Sequence, residues 1–240
     1  MVGASDLGRQ RKTNQDSLFY DEVQGFAVVA DGIGGRKGGE TASGLVVSGL
    51  KSAFMESDKI KHDEIRPFLT AAIDRINRNI IEKGNADESL SGMGTTMDCL
   101  MFVGDKLHVA HIGDSRTYLY YDKHLWQLTL DHNVQNFVER GWLPQTSIQA
   151  GAKKTALTRA MGLSDHLDVD LYRIKLKKGQ LFLTCSDGLT GMVDDLTIAA
   201  TLNRHFPERF DKLTDLLITK ANKNGGRDNI TVLLSYVEKE

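Results

Sequence analysis

The chain is poor in the residues that mark several specialised protein classes. Of its 240 residues, only two are cysteine and three are proline. Two cysteines cannot build the disulfide framework of a small secreted domain. Cys99 and Cys185 both lie in apolar runs, so we predict buried free thiols. No low-complexity tract or linker interrupts the sequence, which favours a single domain over residues 1–240.

Neither a charge excess nor a long hydrophobic run is present. The net charge is −2, so no basic surplus indicates binding to nucleic acid or anionic lipid. The apolar runs are far shorter than the ~20 residues of a membrane helix. The first ten residues lack the basic start and apolar stretch of a signal peptide. We therefore expect a cytoplasmic protein with no nucleic-acid or membrane partner, and no feature requires more than a monomer.

Short apolar runs and helical periodicities alternate along the chain in an irregular order. The predicted strands span residues 17–20, 26–30, 95–103, 106–112, 116–121, 125–128, 167–176, 180–186 and 230–237. The predicted helices span residues 40–55, 63–83, 195–204 and 208–224. Strands in hairpins with helices inserted in pairs indicate an α+β protein with packed antiparallel sheets, not a parallel sheet. The polar stretch 133–165 predicts short helices and loops.

Five aspartates stand at the ends of predicted strands. Asp31, Asp114 and Asp187 each follow an apolar run, and Asp16 and Asp228 each precede one. Any one of them alone is better explained as a turn residue. Strand ends converge on one edge of a packed sheet, however, and several carboxylates gathered there would repel one another. A bound divalent cation would compensate that repulsion.

The ligand chemistry narrows the choice of metal. Oxygen donors suit Mg²⁺ or Mn²⁺. Zinc is disfavoured, because the sequence has no HExxH or CxxC motif and His108 and His111 would face opposite sides of a strand. Carboxylates that clamp two ions are typical of phosphoryl hydrolysis.

Eight segments carry a resemblance to a known family. They are RKTNQD (11–16), VVADGIGG (28–35), GMGTT (92–96), HIGDSRTYL (111–119), DH (131–132), LTRAMG (157–162), CSDGL (185–189) and GGRDNITVL (225–233). In their order and approximate spacing they resemble the bacterial form of the metal-dependent type 2C protein serine/threonine phosphatases. The resemblance covers nearly the whole chain. It implies two antiparallel β-sheets sandwiched between pairs of α-helices.

The same resemblance implies roles for the ion-binding residues. Asp31 would bridge two ions, and the carbonyl of Gly32 would bind one of them. Asp187 and Asp228 would complete the pair of sites. Asp114, together with Asp187, would hold the third ion of some bacterial members. The implied cofactors are two or three Mn²⁺ or Mg²⁺ ions.

The resemblance also implies a reaction. Arg11 would bind the substrate phosphate, and Asp16 would hydrogen-bond a water held by the metal. A water between two ions would attack phosphorus in line, with no phosphoenzyme. The substrates would be proteins carrying phosphoserine or phosphothreonine, a Ser/Thr protein kinase among them, so the enzyme would reverse kinase signalling.

Two features leave alternatives open. Ile33 stands where some relatives have a histidine proposed as the general acid. His132 is one candidate for that role, and the other interpretation is a structural histidine hydrogen-bonded near the Asp131 turn. Residues 133–165 fall where the family has a variable flap. Lys153 and Lys154 there would either reach acidic phosphopeptides or belong to an ordinary solvated loop.

Three other functions compete with the phosphatase hypothesis. They are a catalytically dead relative that binds phosphoproteins, a nucleotide-dependent kinase or ATPase, and a phosphatase of small metabolites. The glycine-rich stretch 34–39 fails the Walker pattern because Lys37 is followed by Gly38. A panel of phosphorylated substrates would distinguish the remaining possibilities.

Overall fold

The computed structural model describes residues 1–34, 38–57 and 64–238. The strands in these ranges are β1 Val2–Asp6, β2 Asp16–Asp21, β3 Phe26–Ile33, β4 Gly94–Thr95, β5 Met97–Val103, β6 Lys106–Ile112, β7 Arg116–Tyr121, β8 His124–Gln127, β9 Asp170–Lys175, β10 Leu181–Cys185 and β11 Ile230–Tyr236. The helices are α1 Gly38–Met55, α2 Ile65–Ala86, α3 Val134–Glu139, α4 Thr146–Gln149, α5 Asp187–Thr190, α6 Asp195–His205 and α7 Leu213–Lys223.

The strands form two antiparallel sheets. Sheet A has the order β1-β11-β10-β7-β8, and sheet B has the order β2-β3-β5-β6-β9, with β4 paired to the end of β3. Helices α1 and α2 pack on each other and on sheet B, and α6 and α7 cover sheet A. The predicted sandwich of two antiparallel sheets between helix pairs is confirmed.

Successive side chains of a strand point to opposite faces of its sheet. This alternation explains why the core has three apolar layers, one between the two sheets and one under each helix pair. In β3, Phe26, Val28 and Ala30 face α1 and α2, while Ala27 and Val29 face the other sheet. A strand that is buried on both faces has a continuous apolar sequence, which is why residues 26–30 include no polar side chain. Phe182 of sheet A meets Phe102 of sheet B edge to face, with ring centroids 6.0 Å apart.

The observed elements differ from the predicted ones in several places. Strand β1 was not predicted. The run that begins at residue 26 was expected to end before Asp31, but β3 continues to Ile33 because Gly32 pairs with Thr95. The strand expected over 95–103 is divided between β4 and β5. The last helix begins at Leu213, after a short 3-10 turn, and not at residue 208.

Some predictions concern residues that the structure does not describe. The helix start at residue 63 and the centre of the glycine-rich loop, residues 35–37, lie outside the described ranges. Among the described helices, none has both the length and the apolar character needed to span a bilayer.

Candidate active site

A cleft of about 230 Å³ opens where β3 meets the loops beside β6, β10 and β11. Its walls include six of the seven residues predicted for the site: Arg11, Asp31, Gly32, Asp114, Asp187 and Asp228. The seventh, Asp16, is buried beside the cleft in β2. The strand-end aspartates therefore converge, as the sequence predicted.

Asp16 and Asp31 face each other across the β2–β3 pair. The Oδ2 atom of Asp16 accepts hydrogen bonds from the hydroxyls of Ser186 and Thr231, each over 2.7 Å. Its Oδ1 atom is buried and has no hydrogen-bond partner among the described residues. Burial is the main cause that raises the pKa of Asp16 to about 6, and the two hydroxyls partly oppose it.

The backbone around Asp31 is held in place by Thr96. The amide of Asp31 donates to Oγ1 of Thr96, and the amide of Thr96 donates to the carbonyl of Asp31, each over 2.9 Å. The next residue must be glycine, since a Cβ at Gly32 would overlap the carbonyl oxygen of Gly39. Gly32 is buried at this close approach of two backbones and lies in the wall of the cleft.

The carboxyl groups of the cleft carry more negative charge than the surrounding protein balances. Burial, followed by the charges of neighbouring aspartates, holds the pKa of Asp31 well above its ordinary value. Burial and Asp187 raise the pKa of Asp114 to about 7. The pKa of Asp187 is also raised, by burial and by the charge of Asp228. Such mutual destabilisation of ionised carboxylates favours a bound cation.

The donor chemistry fits Mg²⁺ or Mn²⁺. In the described part of the chain, no three Asp, Glu, His or Cys side chains form a finished ligand set for one ion. Mg²⁺ takes only one or two carboxylates and completes its octahedron with waters and other oxygens. The buried Oδ1 atom of Asp187 has no hydrogen-bond partner among the described residues, so it is available as such an oxygen.

Arg11 lies on a loop that is anchored by Asn229. The side-chain amide of Asn229 donates to the carbonyls of Leu7 and Thr13, over 3.0 and 3.1 Å. Its Oδ1 atom accepts the amide proton of Gln15 over 2.9 Å. One buried side chain thus fixes both ends of the loop, and Arg11 projects from it into the cleft.

His132 is buried and takes no part in lining the cleft. Both of its ring nitrogens have neighbours inside the protein: the Gly113 amide at 3.1 Å from Nδ1 and the Asp170 carboxylate at 3.2 Å from Nε2. The geometry supports the structural interpretation of this histidine and not the general-acid interpretation. Ile33 does line the cleft.

Several supporting residues were not predicted. They are Thr96, Ser186, Asn229 and Thr231, which hold the aspartates or the Arg11 loop. Each is a polar residue next to, or inside, an apolar strand sequence. That break in apolar character is the signal that could have identified them.

Comparison with known proteins gives a consistent result. The model of the Protein phosphatase 2C family matches residues 2–232. The serine/threonine phosphatase stp of Listeria monocytogenes serotype 4b is 34% identical over 235 residues, which cover 96% of this chain and 92% of the relative.

Solved structures agree with this match. The serine/threonine phosphatase of S. agalactiae has a TM-score of 0.88 and 35% identity, and the match covers 98% of both chains. The catalytic domain of the serine/threonine protein phosphatase PstP, solved in complex with two manganese ions, has a TM-score of 0.85 and 31% identity. That match covers 99% of this chain and 97% of the PstP chain.

The fold and the acidic cleft are therefore those of a phosphatase class that depends on metal ions. The chain belongs to the protein phosphatase 2C family. The predicted enzyme class, a serine/threonine phosphatase of the bacterial type 2C form, is confirmed.

Proposed function

We propose that this enzyme removes phosphate from phosphoserine and phosphothreonine in other proteins, with two or three Mn²⁺ or Mg²⁺ ions in the acidic cleft. The observation that carries the proposal is the group of four aspartates whose pKa values are raised by burial and by one another: Asp16, Asp31, Asp114 and Asp187. Without cations, ionisation of these carboxyl groups would destabilise the fold.

The proposed ligands are divided between the ions as follows. Asp31 would serve two ions, with the Gly32 carbonyl as a further donor, and Asp187 and Asp228 would complete the set. Asp114 and Asp187 would serve a third ion. The alignment of Asp31 with Asp16 across β2 and β3 supports this assignment, because Asp16 comes first among the neighbouring charges that raise the pKa of Asp31.

Bound there, the ions would lower the pKa of a water that they hold and offset negative charge on the phosphoryl oxygens. Asp16 would accept a hydrogen bond from such a water on its Oδ1 atom, which has no partner among the described residues. Arg11 presents a planar fork of donors that matches two phosphate oxygens. Ile33 has no proton to donate, so the side chain at this position does not protonate the leaving oxygen.

Residues 133–165 are proposed as a flap within a single catalytic domain, residues 1–240. Thr155 and Leu157 line the cleft, which supports a role of this segment in forming the wall above the substrate. Lys153 and Lys154 are exposed next to them. Their charge would favour acidic residues that flank the phosphorylated side chain.

The remaining assignments concern the cellular setting. Phosphoproteins are the substrates that the family membership implies. We further propose a cytoplasmic monomer that acts on a Ser/Thr protein kinase among other targets, and that binds neither nucleic acid nor membrane.

A substrate panel tests the proposal. Phosphate release would be measured from phosphothreonine and phosphoserine peptides, a sugar phosphate and ATP, each with Mn²⁺ and with EDTA. We expect metal-dependent release from the peptides, far above the other compounds. Preference for the sugar phosphate would replace the proposal with a metabolite phosphatase. Binding of phosphopeptides without turnover under any metal condition would indicate a catalytically dead relative.

A further inference from the structure

His132 connects the turn that carries Asp114 with the start of the flap and with Thr158 inside it. Its side chain is fully buried. Its amide donates to the carbonyl of Gly113 over 2.7 Å, and the amide of Gly113 donates back to Nδ1 of the ring over 3.1 Å. These two hydrogen bonds join the same pair of residues in both directions.

The partners of the ring define its tautomer. A backbone amide can only donate, so Nδ1 must present a lone pair and the proton resides on Nε2. Nε2 lies 3.2 Å from Oδ2 of Asp170, which accepts that proton's hydrogen bond. Arg159 donates to the other oxygen of Asp170 over 3.2 Å and keeps that carboxylate in place. Burial lowers the pKa of His132 to about 4, which keeps the ring neutral.

The conformation of Gly113 explains why an outside support is needed. Its φ angle is +112°, a region that L-residues avoid, and a Cβ there would lie 2.6 Å from Cβ of Thr96. Glycine permits this turn but also permits many others. A hydrogen bond to the Gly113 amide selects one of them, and the next residue along the chain is Asp114, which lines the cleft.

The backbone of His132 extends the connection to the flap. Its carbonyl accepts the amide proton of Thr158, near the flap's end, over 2.8 Å. The following residue, Asn133, caps helix α3 by accepting from the Asn136 amide over 3.0 Å. The start of the flap and Thr158, seven residues before its end, therefore both connect to the residue that holds the Asp114 turn.

We propose that His132 is a positioning residue: its Nδ1 atom fixes the Gly113–Asp114 turn, so that the Asp114 carboxylate faces the metal cleft. Through the backbone of His132, the same turn is linked to the flap. The inference rests on the proposed role of Asp114 as an ion ligand. Loss of this support should weaken the corresponding ion site by about 10- to 100-fold, the usual effect of removing a group that orients a ligand.

Two amide variants, each with a polar group near one ring nitrogen, separate positioning from simple filling of space. His132→Asn keeps an acceptor near the place of Nδ1, whereas His132→Gln keeps a polar group only near the place of Nε2. In metal-free protein, amide hydrogen exchange of Gly113 should stay slow in His132→Asn and become fast in His132→Gln. Isothermal titration with Mn²⁺ should show a weakened site only in His132→Gln. Equal behaviour of the two variants in both measurements would overturn the proposal.

Wild-type protein supplies a test that does not depend on how a variant folds. In ¹⁵N-labelled protein, the Gly113 amide and Nδ1 of His132 should show scalar coupling across their hydrogen bond, and the ring should carry its proton on Nε2. A missing coupling together with a proton on Nδ1 would refute the inference.

Two controls complete the design. Gln180, which directly precedes β10, is also buried, and its side-chain oxygen accepts the amide proton of Lys177 over 2.8 Å. Gln180→Ala should lower thermal stability without changing Mn²⁺ affinity. Asp114→Asn tests the underlying assignment separately. If it leaves Mn²⁺ binding intact, the ligand role of Asp114 fails, whatever the exchange data show for His132.

Discussion

Nη2 of Arg11 donates a hydrogen bond to Oδ2 of Asp228 over 2.6 Å, although the two residues are 217 positions apart in the sequence. Arg11 is the proposed phosphate ligand and Asp228 a proposed ion ligand. Their contact means that the two roles compete. An ion that takes the Asp228 carboxylate would release the guanidinium for the substrate phosphate.

Replacing Arg11 with alanine tests this competition. Arg11→Ala should lower kcat/KM for a phosphopeptide by about 10- to 100-fold, because hydrogen bonds to charged groups contribute about 1.5–3 kcal/mol. The same variant should bind Mn²⁺ as tightly as wild type or up to about fivefold more tightly, since the exposed ion pair contributes about 1 kcal/mol at most. Steady-state kinetics and calorimetric titration provide the two readouts. Weaker Mn²⁺ binding would contradict the competition.

The stability of the metal-free enzyme should depend on the Asp114 carboxyl. The pKa of Asp114 is raised to about 7 in the folded protein, whereas it is about 4 in the unfolded chain. The neutral carboxyl therefore makes its full contribution to folding stability below about pH 4. That contribution is lost as pH rises through about 7. Relative to wild type, Asp114→Asn should therefore gain stability between about pH 4 and pH 8, by on the order of 2–4 kcal/mol.

Urea unfolding in EDTA at several pH values measures this difference. Adding Mn²⁺ at the upper end of the pH range should narrow or reverse the stability difference between Asp114→Asn and wild type, because the cation stabilises the ionised wild-type carboxylate. A difference between the two proteins that does not vary with pH would show that Asp114 does not titrate as described.

Asn229 should control substrate binding through the Arg11 loop. Asn229→Ala removes three hydrogen bonds to that loop, each contributing about 1 kcal/mol. We expect a lower free energy of unfolding and a raised KM, with a smaller change in kcat. Gln180→Ala, which also removes a buried acceptor of a backbone amide, should lower stability but leave KM unchanged. Equal KM values in the two variants would argue against the anchoring role.

The predictability of the fold follows from how each strand is buried. Strand segments covered on both faces, such as residues 26–30 of β3, are apolar enough to be recognised in isolation. Strand β1, Val2–Asp6, contains glycine and serine and is defined by its pairing with β11 at the far end of the chain. A single-sequence pattern carries no signal for such a distant partner.

Like the fold, the candidate site could be predicted only in part from the sequence. Each of its aspartates alone would be an ordinary turn residue, but five of them at the ends of apolar runs stand out together. The hydroxyls of Ser186 and Thr231 could not be assigned to Asp16, because their contact depends on how β2, β10 and β11 meet in space. The strand extension at Asp31 likewise depends on pairing with the two-residue strand β4.

The flap lysines should affect only substrates with acidic flanks. Replacing Lys153 and Lys154 with alanine should raise KM for an acidic phosphopeptide and leave KM for a neutral one unchanged, with the effect decreasing at high salt. Lys177 and Lys178 form a matched exposed pair in the turn between β9 and β10. If their replacement has the same effect, net charge and not the flap sets the preference.

The central claim is that the acidic cleft performs metal-dependent phosphate release. The most direct test measures phosphate release from a phosphothreonine peptide by wild type and Asp187→Ala, with Mn²⁺ and with EDTA, and uses the exposed helix residue in Asp215→Ala as the control. Wild type and the control should release phosphate only with Mn²⁺, and Asp187→Ala should lose at least about 10²- to 10³-fold. A wild-type rate in Asp187→Ala, or undiminished release in EDTA, would contradict the account.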